Sequence, residues 1–361
     1  MAGRRRLLSP GRDPVAEAAG RWAVLSSAAK RHLHPGAFAF VMATGIVSEA
    51  LDLAGARVAS ATLLAVAGAG FVALLLAYAW RRTWRAGEFV DGFPSLAVAA
   101  ASNVLAGRIL AAHHVPLAVV LLAFGAAVWL VLSYAVPFRL ATDGERHQPN
   151  GTWFMWVVGT QSVAVATSVL AQLVPGPGLI VAASVCWAIG LVQYVLIAAI
   201  VLGRLLARPV APEDLTPHYW IFMGAAAISV LAGAELLHLP ESGGLVPREV
   251  VAGLSFVLWA FCSWLIPLLV ALGVWRHLRH RVPLSFESGL WSMVFPIGMY
   301  GVATRELGHS TGTGWMTALG GGEVWVATAV WLLVLLAMAK ATWRFLTANR
   351  PPRRPGPRPT S

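Results

Sequence analysis

The chain has 361 residues, of which 58% are hydrophobic and 12% charged, and a net charge of +11. The basic excess is not a nucleic-acid footprint, because the arginines sit between long apolar stretches, where they anchor membrane spans against anionic headgroups. Cys186 and Cys262 fall inside apolar stretches, so no disulfide framework is expected.

Residues 1–33 read as a basic cytoplasmic segment with Arg4, Arg5, Arg6, Arg12, Arg21, Lys30 and Arg31. Asp13, Glu17 and Arg21 interrupt any apolar core there, so no cleavable signal peptide is expected, and residues 14–30 suit an interfacial amphipathic helix. A bilayer crossing needs about 20 mostly apolar residues. Ten stretches qualify: 34–54, 58–80, 92–112, 115–136, 151–174, 178–203, 217–238, 250–274, 285–307 and 323–346. Residues 347–361, rich in Pro and Arg, read as a disordered tail.

The loops alternate in charge. Arg81, Arg82 and Arg85 follow the second span, Arg139 and Arg146 the fourth, Arg204 and Arg208 the sixth, and Arg276, Arg279 and Arg281 the eighth. The other loops hold Arg57 and Arg248. Basic loops stay in the cytoplasm, so both termini are expected inside and the protein in the cell membrane. Short outer connections pair the first six spans into hairpins. Longer ones, Leu239–Glu249 and Gly308–Gly322, join spans 7–8 and 9–10. The expected fold is an all-α integral membrane domain of five helical hairpins over 34–346.

Polar residues concentrate in odd spans. Span 3 carries Ser102, Asn103 and Arg108, and span 5 carries Thr160, Gln161, Ser162, Thr167, Ser168 and Gln172, whereas span 4 offers Ser133. Polar groups are costly in hydrocarbon unless they face protein or water, so odd spans are expected inside and even spans against lipid. At ~15–18 Å from the cytoplasmic face, by helical rise, lie Thr44, Asn103, Gln161, Ser229 and Phe295. Thr44, Asn103, Gln161 and Ser229 are the candidate pore liners, with ordinary interhelical hydrogen bonding as the plainer alternative. In span 9, Phe295-Pro296-Ile297-Gly298-Met299-Tyr300-Gly301 puts a proline at mid-membrane. Pro296, Gly298 and Gly301 are expected to bend the helix and push Phe295 sideways, against the alternative of a packed core phenylalanine beside a structural kink.

Glu49, Arg108, Glu235 and Arg305 lie near the outer ends of odd spans, either paired across helices or forming an outer mouth. The ten histidines fall at span ends or in loops, which disfavours a buried haem. No phosphate loop, catalytic pair or metal site stands out. The chain is therefore expected to be no enzyme and to need no cofactor or metal, with a membrane-embedded redox subunit as the reading from another class.

Three segments resemble the tellurite-resistance/dicarboxylate transporter family. They are Pro35-Gly36-Ala37-Phe38-Ala39-Phe40-Val41-Met42-Ala43-Thr44-Gly45-Ile46-Val47-Ser48, Asn150-Gly151-Thr152-Trp153 with Thr160-Gln161-Ser162-Val163-Ala164, and Phe295 through Thr304. That family includes fungal malate permeases, sulfite efflux pumps and the plant guard-cell slow anion channel. The resemblance implies five hairpins in quasi-fivefold array, with odd helices around a central pore and a homotrimer with one pore per subunit. It also implies a ninth-helix phenylalanine that occludes the pore, the position held by Phe295. The plant channel's long regulatory termini have no counterpart here, so kinase control of that kind is not expected. The implied function is transport of small anions, C4-dicarboxylates such as malate foremost and sulfite or another inorganic anion as the alternative. The implied partners are the anion and the bilayer.

Overall fold

The computed structural model describes residues 35–80, 92–142, 148–207, 210–240 and 245–348. The expectations for residues 1–33, for the tail from 349 and for Arg81, Arg82, Arg85, Arg146 and Arg208 lie outside them. Ten long helices and no strand occur among the described residues: α1 (Ala39–Leu53), α2 (Arg57–Trp80), α3 (Ala97–Ala111), α4 (Val115–Thr142), α5 (Met155–Leu173), α6 (Pro177–Ala207), α7 (Trp220–Leu237), α8 (Arg248–Val274), α9 (Trp291–Ser310) and α10 (Gly314–Ala348). Nine of them are long and apolar enough to cross a membrane. The exception, α9, carries Ser292, Thr304, Arg305, Glu306 and His309.

Every odd helix starts from a single tight 3-10 turn: Pro35–Phe38, Phe93–Leu96, Gly151–Phe154, Pro217–Tyr219 and Ser288–Leu290. Each turn begins with or contains Pro or Gly, and the first four end on a buried Phe, Leu, Phe and Tyr. Pro and Gly restrict or free the backbone where a helix must begin abruptly, and the apolar residue then plugs the turn into the core. The turns touch one another in a closed ring, each against the next and the fifth against the first. At one of these contacts Gly151 lies so close to the His218 carbonyl that any Cβ would overlap it. Arg204 braces the same region, donating to the Pro149 carbonyl at 2.6 Å and to Gln148 Oε1 at 2.8 Å.

Because the five turns share one end of the bundle, α1, α3, α5, α7 and α9 run parallel. They close a second ring, α1–α3–α5–α7–α9–α1, by mutual packing. Each even helix returns antiparallel, packing mainly on its hairpin partner and on the next odd helix. Burial separates the layers. In the four most apolar odd spans 67–89% of the apolar window is buried, against 17–33% in the even spans. Residues 35 and 348 thus lie at the same end of the bundle.

The layers are joined by one hydrogen bond used repeatedly. A tryptophan indole N–H from an even helix reaches the next odd helix at four of the five junctions: Trp129 to Thr160 Oγ1 (2.9 Å), Trp187 to the Ser229 carbonyl (3.0 Å), Trp259 to Thr304 Oγ1 (2.9 Å) and Trp331 to Thr44 Oγ1 (3.1 Å). Thr160 and Thr304 in turn donate to carbonyls one turn earlier, Trp156 and Tyr300, so each hydroxyl is satisfied twice. At the fifth junction, α2 with α3, the bond comes from the odd side. Arg108 Nη2 donates to Ser60 Oγ at 2.8 Å and lies 3.0 Å from Asp52 Oδ1. Ser60 also exchanges hydrogen bonds of 2.7 and 2.8 Å with Ser48. Arg108 therefore ties three helices together, and its carboxylate is Asp52 rather than Glu49 or Glu235.

One boundary differs from the sequence expectation. The supposed outer loop Gly308–Gly322 is mostly helix, since α10 begins at Gly314 and leaves Thr311–Thr313 as the turn. Gly320-Gly321-Gly322 reads as loop, but these residues lie within α10, and Gly320 lets it approach α9. A Cβ on Gly320 would lie 2.5 Å from the Gly301 carbonyl and the Arg305 backbone nitrogen, a small-residue contact of the kind that packs membrane helices.

Replacing Trp331 or Trp259 by Phe is expected to destabilise the fold by roughly 1 kcal/mol each, the net value of one hydrogen bond. Arg108→Ala should cost about 1–3 kcal/mol, with Asp52 partly exposed to screening. Thermal unfolding in detergent measures both; variants as stable as the parent would show that these bonds hold nothing.

Candidate functional site

The odd helices enclose a cavity of about 300 Å³ at the end of the bundle where they terminate. Its deepest residues are Ile46 of α1, Asn103 of α3, Ser162 of α5, Ile228 of α7 and Met299 of α9, one from each helix of the inner ring. All five are at most 2% exposed, so they form a closed floor. Asn103 Nδ2 donates to Ser162 Oγ at 3.0 Å, fixing the two polar floor residues to each other. Asn103 Oδ1 has no partner and presses on Gly125 of α4, where a Cβ would overlap it.

Nearer the mouth the walls change character. Val104, Val165, Val169 and Leu231 give way to Glu49, Asp52, Arg108, Gln172, Glu235, His238 and Glu306. Gln172 Nε2 donates to Glu235 Oε2 at 2.8 Å. His238 Nδ1 lies 3.7 Å from the same carboxylate oxygen. The neighbouring Glu235 carboxylate holds the His238 imidazole above its ordinary range, with burial opposing. Donor atoms of Glu235, His238 and Glu306 all lie within 4.8 Å of one another. Two carboxylates and an imidazole are donors that suit a divalent cation, a grouping that sequence spacing conceals because Glu306 arrives from another hairpin.

The expected pore liners divide. Asn103 is on the floor, while two others engage the outer layer: Thr44 accepts from Trp331, and Gln161 donates to the Trp187 carbonyl at 3.2 Å and packs on Gly190. The Ser229 hydroxyl is used within α7, donating to the Ala225 carbonyl one turn earlier, and only its backbone carbonyl meets the outer layer, accepting from Trp187. Depth along a helix does not fix the face. Ile46 lies about 200° around α1 from Thr44, and Ser162 and Ile228 each lie about 100° from the expected residue. Of the expected mouth residues, Glu49, Arg108 and Glu235 line the cavity. Arg305 instead runs along α10, its Nη1 close to Gly321.

Phe295 is 2% exposed. It stands four residues before Met299, on the same face of α9 and one turn beneath the floor. The residues around it are contact points. Pro296 packs on Gly224 of α7, where a Cβ would lie 2.7 Å from the proline ring; Gly298 packs on Ile46 of α1, and Gly301 on α10. The helix continues unbroken through Pro296. Pro296, Gly298 and Gly301 thus wedge α9 between three neighbours.

The profile of the SLAC1 family, described as voltage-dependent anion channel, matches residues 32–339. An uncharacterized membrane protein of Mycobacterium tuberculosis strain H37Rv is 49% identical over 146 residues, 40% of this chain and 74% of its own. Two uncharacterized transporters of Methanocaldococcus jannaschii are 23% and 22% identical over 59% of this chain, covering 63% and 61% of theirs. With the profile spanning nearly all of the ten-helix unit, the chain is a multi-pass membrane protein that belongs to the SLAC1 family of anion channels and transporters.

Proposed function

We propose that the protein conducts small anions along the axis of the five odd helices, with Phe295 as the side chain that stoppers the path. The observation that carries this reading is the floor, to which each inner helix contributes one buried residue, with Phe295 one turn beneath it. Pro296 and Gly298 support the gate assignment, because their contacts with α7 and α1 fix the backbone and leave the ring rotamer as the part that moves. The arginine pattern puts the ring of turns and both termini on the cytoplasmic side and the cavity mouth outside. Residues 34–346 act as the transport unit, flanked by the segments 1–33 and 347–361.

Among anions, C4-dicarboxylates such as malate are favoured by the family resemblance, and about 300 Å³ is enough room for a small organic ligand. Sulfite or another small inorganic anion is the second reading, favoured by a floor with one amide and one hydroxyl among its five side chains. Apolar residues such as Val120, Val192 and Val257 cover the even helices, a surface suited to lipid and to the homotrimer that the resemblance implies.

Moving Phe295 aside costs packing and rotamer strain of about 1–3 kcal/mol. Phe295→Ala is therefore expected to raise anion flux into proteoliposomes about 5–150-fold. Unchanged flux in a variant that keeps its melting temperature would remove Phe295 from the gate.

A further inference from the structure

Two carboxylates at the cavity mouth face each other with little to balance them. Glu235 of α7 and Glu306 of α9 present oxygens that lie within 4.8 Å of one another and of a His238 ring nitrogen. Like charges this close repel strongly away from bulk water. Five parallel helices also end at this level, and each C-terminus adds roughly half a negative charge. The neighbouring arginines are engaged elsewhere. Arg108 lies 3.0 Å from Asp52 and donates to Ser60, and Arg305 extends along α10. Among the described residues the Glu306 carboxylate makes no hydrogen bond or ion pair.

The donors and their spacing identify the kind of cation that fits. Glu235 and His238 stand three residues apart at the end of α7, on one face of the helix, and Glu306 reaches them from the next hairpin. His238 Nδ1 lies 3.7 Å from Glu235 Oε2, too far for a hydrogen bond. That separation is close to the ~3.4 Å between two ligands of a tetrahedral zinc ion with bonds of about 2.1 Å. Gln172 of α5 donates to the same Glu235 oxygen at 2.8 Å, and an outer hydrogen bond of this kind orients a metal-binding carboxylate. The His238 side chain is 30% exposed while Glu235 is nearly buried, so an ion can enter from the mouth. An imidazole beside two carboxylates suits a divalent transition metal better than Ca²⁺ or Mg²⁺, which take oxygen ligands.

We propose that Glu235, His238 and Glu306 bind one divalent transition-metal cation, for which Zn²⁺ is the probe, with a fourth coordination position left to water. Glu235 stands two helical turns beyond Ile228, and Glu306 two turns beyond Met299, both of them floor residues. The ion thus joins α7 to α9 about 10 Å above the floor and offsets the charge that the two carboxylates bring to the mouth. The site does not depend on the anion-conduction reading.

Zinc binding to the full chain in detergent is measured by titration calorimetry and by the shift in melting temperature. Wild type is expected to bind one Zn²⁺ per chain and to melt higher as zinc rises, with no such shift in Ca²⁺ or Mg²⁺ at the same concentrations. Glu306→Gln and His238→Ala should each weaken zinc binding about 100-fold, and Gln172→Ala, which removes only the orienting hydrogen bond, about 10–100-fold. His114→Ala, which breaks the adjacent pair His113-His114 in the loop after α3, should bind as wild type does. X-ray absorption at the zinc edge locates the ion in wild type itself, whatever the variants' folding, and should show oxygen neighbours and an imidazole. Absence of saturable binding at millimolar zinc would overturn the proposal. So would sulfur neighbours, which would place the ion on Cys186 or Cys262, affinity unchanged in both Glu306→Gln and His238→Ala, affinity lost in His114→Ala, or equal stabilisation by Ca²⁺.

Discussion

A buried hydrogen-bonding group in hydrocarbon has no water to fall back on, and this constraint shapes the whole bundle. The odd helices carry hydroxyls, amides and charges that would be prohibitive against lipid. They are accommodated sideways. Trp129, Trp187, Trp259 and Trp331 reach from the outer layer to Thr160, Ser229, Thr304 and Thr44, and Arg108 reaches the other way to Ser60. Each junction of the two layers thus has at least one directional bond that specifies which neighbour an even helix must meet. Van der Waals packing at Gly151, Gly224 and Gly320 then sets how closely the backbones approach.

The layer order was legible in the sequence because it follows from polarity alone: lipid-facing helices are bare and interior ones are not. The five hairpins were legible as a count of spans, but the element that repeats was not, since its signal is a short turn starting near 35, 93, 151, 217 and 288 with different residues each time. Pro35-Gly36-Ala37-Phe38 and Gly151-Thr152-Trp153-Phe154 share a role, Pro or Gly followed by a plugging aromatic, and little identity. The glycines after Met316 misled in the opposite sense. Gly320, Gly321 and Gly322 have the composition of a loop but lie within α10, and Gly320 packs against the α9 backbone.

For the site, depth was readable and direction was not. Counting residues along each helix gave the level of Thr44, Gln161 and Ser229, but the first two are hydrogen-bonded to the outer layer and the Ser229 hydroxyl to its own helix, while Ile46, Ser162 and Ile228 line the cavity. A hydroxyl or amide at mid-membrane is informative about cost, and a tryptophan on the next helix can meet that cost as well as water can. Phe295 stood out for a different reason. Its neighbours Pro296, Gly298 and Gly301 are rare in helix interiors, and three rare residues in succession mark a place where backbone contact governs the choice. Asp52 was missed as the partner of Arg108 because it sits at the last turn of α1, where a carboxylate reads as an ordinary surface residue.

The polarity of the inner ring gives its two ends different characters. One end gathers five helix N-termini behind a ring of tight turns, and the other gathers five C-termini and four cavity-lining carboxylates. An anion route between them runs from a field that attracts it to one that repels it, through a floor of neutral side chains. The most direct test is thiol accessibility in a cysteine-free background, with single cysteines at Ile46, Asn103, Ser162, Ile228 and Met299 compared with Thr44 and Gln161, all in the Phe295→Ala variant. Reaction of the five axial cysteines with a charged, membrane-impermeant reagent, with loss of anion flux and no reaction at Thr44 or Gln161, is the expected result. Protection of the axial five with reaction at Thr44 and Gln161 would contradict a conduit enclosed by the odd helices.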